Sequence, residues 1–154
     1  MELKTGSSDS TLDDKGRVNI PVRFREQYQG ELIMTWGIDK CIYIMTPPAY
    51  EHLEKTLRNS AEFSKKWRIL QHKHFAQAMP VEIDKAGRIA IPPTFRKYAN
   101  LSRDCMVISS ALGYLSIWDT ETFYSYLTMN DELAQAAFDE SGSGNGFGES
   151  GDGE

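Results

Sequence analysis

The chain contains few of the features that indicate export, membrane insertion or a disulfide-linked fold. It has 154 residues and two cysteines, Cys41 and Cys105, which fall within predicted strands and indicate buried thiols of a reducing compartment. No segment approaches the ~20 apolar residues of a membrane span. The first residues lack an apolar signal core. We therefore expect a cytoplasmic protein with no membrane partner.

Sequence patterns typical of catalysis and of cofactor binding are also missing. We find no ordered set of Ser or Cys with His and Asp, no paired-acid motif and no phosphate-binding loop. The three histidines, His52, His72 and His74, lack the spacing and the cysteine partners of a zinc site, so we expect them at the surface or at an interface. The sequence therefore predicts no metal, no cofactor and no enzymatic activity.

The net charge of −5 argues at first against a nucleic-acid partner. Seven of the 22 acidic residues, however, lie in 129–154, which contains no Lys or Arg, so residues 1–128 carry a net charge of +2. The segment after Glu140 is rich in Gly and Ser, a composition that cannot bury enough apolar surface to fold. We expect an acidic, disordered tail at 129–154, with an engineered linker as the alternative.

An internal duplication is the most informative pattern in the sequence. Residues 12–28 align with residues 83–99 at an offset of 71, and seven of the 17 aligned pairs are identical. The identical pairs are Asp13/Asp84, Gly16/Gly87, Arg17/Arg88, Ile20/Ile91, Pro21/Pro92, Phe24/Phe95 and Arg25/Arg96. We therefore predict a first repeat at 1–70 and a second repeat at 71–128, followed by the tail at 129–154.

Both repeats predict short strands that alternate with short helices. The Asp-x-x-Gly-Arg segment is typical of two strands joined by a tight turn, in which glycine adopts a positive φ. Pro21 then ends the strand and begins a helix, for which Gly30 is the predicted C-terminal cap. The other predicted elements are a hairpin over 32–45, a helix after Thr46, a helix capped by Ser60 that carries Phe63, Trp67 and Leu70, and a helix from Asp119 to Leu127.

Two stretches carry a resemblance to a known family: Leu12-Asp-Asp-Lys-Gly-Arg-Val-Asn-Ile-Pro21 and Ile83-Asp-Lys-Ala-Gly-Arg-Ile-Ala-Ile-Pro92. They look like the two Asp-x-x-x-Arg motifs of MraZ proteins, and the resemblance covers about 5–128. It implies an α+β fold, a duplicated AbrB-like swapped-hairpin barrel with short helices. It also implies a nucleoid-associated transcription regulator, a ring-shaped homo-oligomer that binds direct repeats in the promoter of its own division and cell-wall operon.

The resemblance further implies which residues contact DNA. In AbrB-like proteins these are arginines after the motif glycine and in the following helix, which correspond here to Arg17, Arg25, Arg88 and Arg96. We add Lys15, a phosphate contact or a solvated lysine, and Arg23 from the same segment. From the residues alone, Arg17 and Arg88 are as well explained by pairing with Asp13 and Asp84 within their own turns. We favour Arg17 over Arg88 as the base contact.

Departures from the family pattern keep a second function open. Trp36 stands where the family often has arginine, Ser8 where it usually has an aromatic residue, and Ser116 where it usually has an acid. The alternative is a structural ring, or an AbrB-fold antitoxin-like protein, with weak or altered DNA binding. In either case we expect the helix faces at 50–57 and 63–70 to contact neighbouring subunits.

Overall fold

The computed structural model describes residues 3–58 and 64–144. The strands are β1 (Gly6–Thr11), β2 (Arg17–Asn19), β3 (Leu32–Trp36), β4 (Ile42–Met45), β5 (Met79–Val81), β6 (Arg88–Ala90), β7 (Asp104–Ser109) and β8 (Tyr114–Asp119). The helices are α1 (Val22–Arg25), α2 (Pro47–Arg58), α3 (Lys65–Leu70), which continues as a π-helical turn (Gln71–Phe75), α4 (Pro93–Tyr98), α5 (Thr120–Met129) and α6 (Asp131–Gly144). This confirms the predicted mixture of short strands and helices.

The chain forms two compact units, one up to Thr120 and one from Glu121 onward. In the first unit, six strands form an antiparallel sheet in the order β1-β7-β8-β4-β3-β5. The predicted hairpin over 32–45 is confirmed as β3 and β4. The opening strand of each repeat pairs with a strand of the other repeat, β1 with β7 and β5 with β3. The two repeats are therefore joined by crossed strand pairing, in which each of these two pairs contains one strand from either repeat.

A separate two-stranded sheet joins the two sequence motifs, and we call it the motif ribbon. It consists of β2 and β6, which run antiparallel with Val18 opposite Ile89. The N–H of Ile20 donates to the Gly87 carbonyl at 2.7 Å, and the N–H of Ile91 donates to the Gly16 carbonyl at 2.8 Å. Each motif strand is thus held by the turn of the other repeat.

The two repeats share one hydrophobic core. Its equivalent members come in pairs from both copies of the motif, namely Val18 with Ile89, Ile20 with Ile91, and Phe24 with Phe95, all of them buried. The hairpins complete it with Leu32, Met34, Ile42, Ile44, Cys105, Val107, Leu115 and Ile117. Because burial of one such large side chain contributes roughly 1.5–3 kcal/mol, this shared core is the main force that holds the repeats together.

Helix α1 is shorter than predicted. It ends at Arg25 with Glu26 as its C-cap, so the prediction of Gly30 as the cap is wrong. Beyond it, the N–H groups of Gln27 and Tyr28 donate to the carbonyls three residues back, each at 3.2 Å. These tighter turns still bring Tyr28 into the core, which explains why its spacing from Phe24 looked helical.

Helix α3 begins later than predicted. Ser64 is its N-cap and accepts a hydrogen bond from the Trp67 N–H at 3.1 Å, whereas the predicted cap Ser60 and the predicted apolar Phe63 lie outside the described residues. Trp67 is buried, with its ring centroid 5.7 Å from that of Phe75. It is therefore a residue of the protomer interior, while a subunit contact at this helix stays a prediction.

Part of the predicted tail is helical. The structure has α6 over Asp131–Gly144, so the expectation of disorder is wrong there, while residues 145–154 lie outside the described residues. Leu, Ala and Gln favour helix in 133–137, and Asp131 and Glu132 interact favourably with the positive helix N-terminus. These local preferences outweigh the high charge. None of the helices described is both long and apolar enough to cross a membrane.

His74 is buried, so the prediction of a surface or interface histidine is wrong for this residue. The His74 Nδ1 lies 3.0 Å from the Trp36 carbonyl oxygen, and the Thr35 hydroxyl donates to the His74 carbonyl. Burial lowers the pKa of His74, and the nearby positive charge of Lys73 acts in the same direction. In residues 3–58 and 64–144, His, Cys, Asp and Glu form no group of three suited to a metal ion.

We expect the stability of the protein to fall as the pH drops below about 6.5, the ordinary pKa of histidine. The unfolded chain takes up a proton at His74 first, because burial opposes protonation in the folded state. Urea denaturation at pH 7 and pH 5 should show that the free energy of unfolding falls less between the two pH values for His74→Gln than for wild type. The matched control is His72→Gln, at an exposed position. Equal pH dependence of wild type and His74→Gln would contradict this assignment.

Candidate nucleic-acid interface

Asp13 organises the first motif turn. Its Oδ1 accepts hydrogen bonds from the backbone N–H groups of Lys15 and Arg17, both at 2.9 Å, and its Oδ2 accepts from Arg17 Nε at 2.8 Å. These contacts, above all the Arg17 backbone N–H, lower the pKa of Asp13. Gly16 has φ +77°, as the turn requires. The predicted strand, turn and strand are therefore confirmed.

The second turn repeats this arrangement with a looser side-chain contact. Asp84 Oδ1 accepts from the N–H groups of Ala86 and Arg88, both at 2.9 Å, and these bonds, with Arg88 first, lower the pKa of Asp84. The distance from Arg88 Nε to Asp84 Oδ2 is 3.4 Å, compared with 2.8 Å for the first pair. The interpretation of both arginines as partners of their own aspartates thus has direct structural support.

The motif ribbon carries both arginines on its outer face. Val18 and Ile89 are buried, and successive side chains of a strand point to opposite faces, so the outer face presents Arg17 and Asn19 from β2 and Arg88 from β6. The side chain of Arg17 is 27% exposed and that of Arg88 is 34% exposed. Among the described residues, the one hydrogen bond that the Arg17 side chain makes is from its Nε to Asp13. Its terminal nitrogens are therefore free to donate to another molecule.

Arg25 and Arg96 reach across to the other repeat instead. The Arg25 Nε donates to the Ile20 carbonyl at 2.7 Å, and its guanidinium lies where a Cβ on Gly87 would stand. Arg96 covers the equivalent glycine, since an ideal Cβ on Gly16 would lie 3.0 Å from its Cζ. Both arginines are half-buried and fix one repeat against the turn of the other. DNA contact by either of them stays a prediction.

The other two predicted contacts lie at different places. Lys15 is exposed in the first turn, close in sequence to Arg17. Arg23 donates from Nη2 to the Ser7 carbonyl at 2.7 Å and lies 4.5 Å from the centroid of the Phe24 ring, which ties it to the beginning of β1. The structure therefore places Arg17 and Arg88 on the motif ribbon and Lys15 in the turn before Arg17, whereas Arg23 makes a packing contact.

Trp36 packs inside the first unit. Its ring is stacked on Tyr98, with centroids 4.1 Å apart and planes 14° apart, and meets Phe95 edge to face. The Tyr98 hydroxyl donates to the Gly37 carbonyl at 2.7 Å. Trp36, at a position where the resemblance implies arginine, thus joins the hairpin of the first repeat to helix α4 of the second.

Comparison with known proteins identifies the family. Residues 3–71 and 74–141 each match the model of a family described as "MraZ protein, putative antitoxin-like". The chain belongs to the MraZ family. Two relatives, from Parafrankia sp. (strain EAN1pec) and from Frankia alni, are each named "Transcriptional regulator MraZ". Each is 35% identical over 127 residues, which is 82% of this chain and 88% of the relative.

The match to the MraZ family covers more of the chain than the resemblance of the motifs did. Its second part ends at residue 141 and includes most of α6, which lies outside the residues 5–128 that the resemblance covers. Sequence reasoning missed α6 because it weighed the charge and the Gly/Ser content of the whole segment together. The Ala- and Leu-containing stretch at 133–137 was the signal that separates the helix from the residues after it.

Proposed function

We propose that this chain is a sequence-specific DNA-binding transcription regulator, which acts on the promoter of its own division and cell-wall operon through direct repeats. One observation carries the proposal: both motif arginines lie on the outer face of a two-stranded ribbon. The names of the two relatives point in the same direction. In this role the protein is associated with the nucleoid and performs no catalysis.

The dimensions and chemistry of the motif ribbon suit the major groove. A two-stranded ribbon fits that groove, and an arginine there donates two hydrogen bonds to O6 and N7 of guanine. Asp13 accepts a hydrogen bond from Arg17 Nε, which restrains the plane of the guanidinium and leaves its terminal nitrogens available to guanine. Lys15, exposed in the same turn, contacts phosphate.

Affinity in this proposal comes from several subunits. One subunit offers few cations, so it binds weakly alone, whereas a ring-shaped homo-oligomer engages several direct repeats at once. For the fold, we propose a duplicated AbrB-like swapped-hairpin barrel with repeats at 1–70 and 71–128. The crossed pairing of β1 with β7 and of β5 with β3 supports this arrangement.

The test compares two duplexes in a fluorescence anisotropy titration at two salt concentrations. One duplex carries the DNA upstream of the gene, and the other has the same composition in scrambled order. We expect the upstream duplex to bind about 10³-fold or more tightly at physiological salt. Equal affinity for the two duplexes would contradict sequence-specific regulation.

A structural ring or an antitoxin-like protein is the second candidate. It is favoured by Trp36, whose ring is engaged in packing where the family often has a cation, and by the wording of the family description. Light scattering that reports a ring, together with no preference for the upstream duplex, would support the structural ring. A toxin gene beside this gene would support the antitoxin.

A further inference from the structure

Arg103 lies beside the first motif turn although it belongs to the second repeat. Its carbonyl oxygen accepts a hydrogen bond from the N–H of Leu12 at 2.8 Å. With Asp13 and Asp14, it lines an open cleft of about 410 Å³. Arg103 is exposed, and among the described residues it forms no ion pair. A cation without a carboxylate partner therefore stands next to the turn that carries Arg17.

Among the described residues, no arginine or lysine lies opposite Ile83 of the second repeat as Arg103 lies opposite Leu12, although the second turn itself carries Lys85 where the first carries Asp14. In the first turn, Thr11 pairs with Asp104, so Leu12 lies opposite Arg103. In the second turn, the residue that aligns with Leu12 is Ile83. Val81 pairs with Leu32, and continuing this antiparallel register by two residues places Gly30 opposite Ile83. The residue before β3 is Glu31, an exposed acid. The crossed strand pairing thus gives the two turns different electrostatic surroundings.

We infer that Arg103 is a further DNA contact, to a phosphate, and that the first turn is the one inserted into the groove. The inference rests on the proposed function. Asp13 and Asp14 repel phosphates that flank the groove, and the positive charge of Arg103, which lines the same cleft, offsets this repulsion. A phosphate contact beside a base contact fixes the register of the protein on the duplex. Arg17 then reads bases while Arg103 holds the backbone.

The decisive variants are Arg103→Ala and Arg103→Lys in the full chain. For each engaged subunit, Arg103→Ala should weaken binding to the upstream and the scrambled duplex by the same factor, roughly 5- to 10-fold at low salt. It should also lower the slope of log affinity against log salt concentration by about 1 for each engaged subunit. Arg103→Lys should retain most of the affinity, because a phosphate accepts a point charge. Arg17→Lys should lose the preference for the upstream duplex, since lysine lacks the planar fork.

Three comparisons complete the test. Arg88→Ala should cost less affinity than Arg17→Ala, because no counterpart of Arg103 lies beside the second turn to hold a phosphate. Arg58→Ala removes the same charge from helix α2 and should leave both titrations unchanged. Thermal denaturation should be the same for wild type and Arg103→Ala, since the contact to Leu12 uses the backbone carbonyl.

The outcomes separate the inference from the proposed function. If wild type prefers the upstream duplex and Arg17→Ala loses that preference, unchanged binding by Arg103→Ala overturns the inference alone. If Arg103→Ala weakens binding to the upstream duplex but not to the scrambled one, the assignment of Arg103 to a phosphate is wrong. If Arg17→Ala and Arg88→Ala lose the same affinity, the assignment of the first turn as the one inserted into the groove is wrong. A wild type with no preference between the duplexes overturns the proposed function, and the inference with it.

Discussion

Arg17→Ala is expected to abolish specific binding to the upstream duplex while folding and assembly stay intact. The variant removes one bidentate contact in each subunit, and each such contact contributes about 1–3 kcal/mol of discrimination. Several subunits engage the DNA together, so the losses combine. The measurement is anisotropy with the upstream and scrambled duplexes, accompanied by light scattering and thermal denaturation of the same samples.

Arg58→Ala is the matched control for that experiment. Arg58 pairs with Glu54 at 3.1 Å, four residues away, as Arg17 pairs with Asp13 at 2.8 Å. Both variants therefore lose one positive charge and one ion pair at the same spacing, and the control loses them outside the motif ribbon. If Arg17→Ala binds the upstream duplex as tightly as Arg58→Ala does, the assignment of Arg17 as the base contact is wrong.

Gly87→Ala is expected to lower the free energy of unfolding by roughly 2–4 kcal/mol. Gly87 has φ +84°, which costs an L-residue roughly 1–2 kcal/mol. In addition, the new Cβ would overlap the Arg25 guanidinium. Arg25 must then move and weaken its hydrogen bond to the Ile20 carbonyl. Urea denaturation monitored by tryptophan fluorescence measures the loss.

Gly30→Ala separates backbone strain from the contact between repeats. Gly30 has φ +78°, but among the described residues other than its two chain neighbours no atom lies within 4 Å of where its Cβ would be. Its substitution should therefore cost only the strain of about 1–2 kcal/mol. When Arg25 is already replaced by Ala, Gly87→Ala should cost no more than Gly30→Ala. An undiminished cost in that double variant would show that Arg25 is not the side chain that requires glycine at 87.

Local features of the fold were predictable from the sequence because they depend on neighbouring residues. The motif turns depend on an aspartate that accepts from N–H groups two and four residues later, and the hairpin over 32–45 depends on alternating apolar residues. The end of α1 and the burial of His74 were not predictable. The end of α1 is set by how Tyr28 reaches the core. The burial of His74 is set by a hydrogen bond to Trp36, 38 positions away in sequence.

In the candidate site, contacts within one turn were likewise predictable from the sequence, whereas contacts between the two repeats were not. The pairing of Arg17 with Asp13 follows from their spacing, and we weighed it from the sequence as an alternative to DNA contact. The contacts of Arg25 with Gly87 and of Arg103 with the first turn join different repeats. No spacing in a single sequence reveals such contacts, since the offset of 71 describes equivalence between the repeats and not proximity.

The crossed pairing of the repeats has a consequence for synthesis of the chain. A hydrogen bond from the Ser109 hydroxyl to the Lys4 carbonyl spans 105 positions, and β1 pairs with β7 along its whole length. Contacts this distant in sequence slow folding to about milliseconds to seconds, and the N-terminal strand has no partner while the second repeat is still inside the ribosome. Its open edge then offers the same hydrogen bonds to β7 of a neighbouring nascent chain, so crowded translation of one message favours strand exchange between copies.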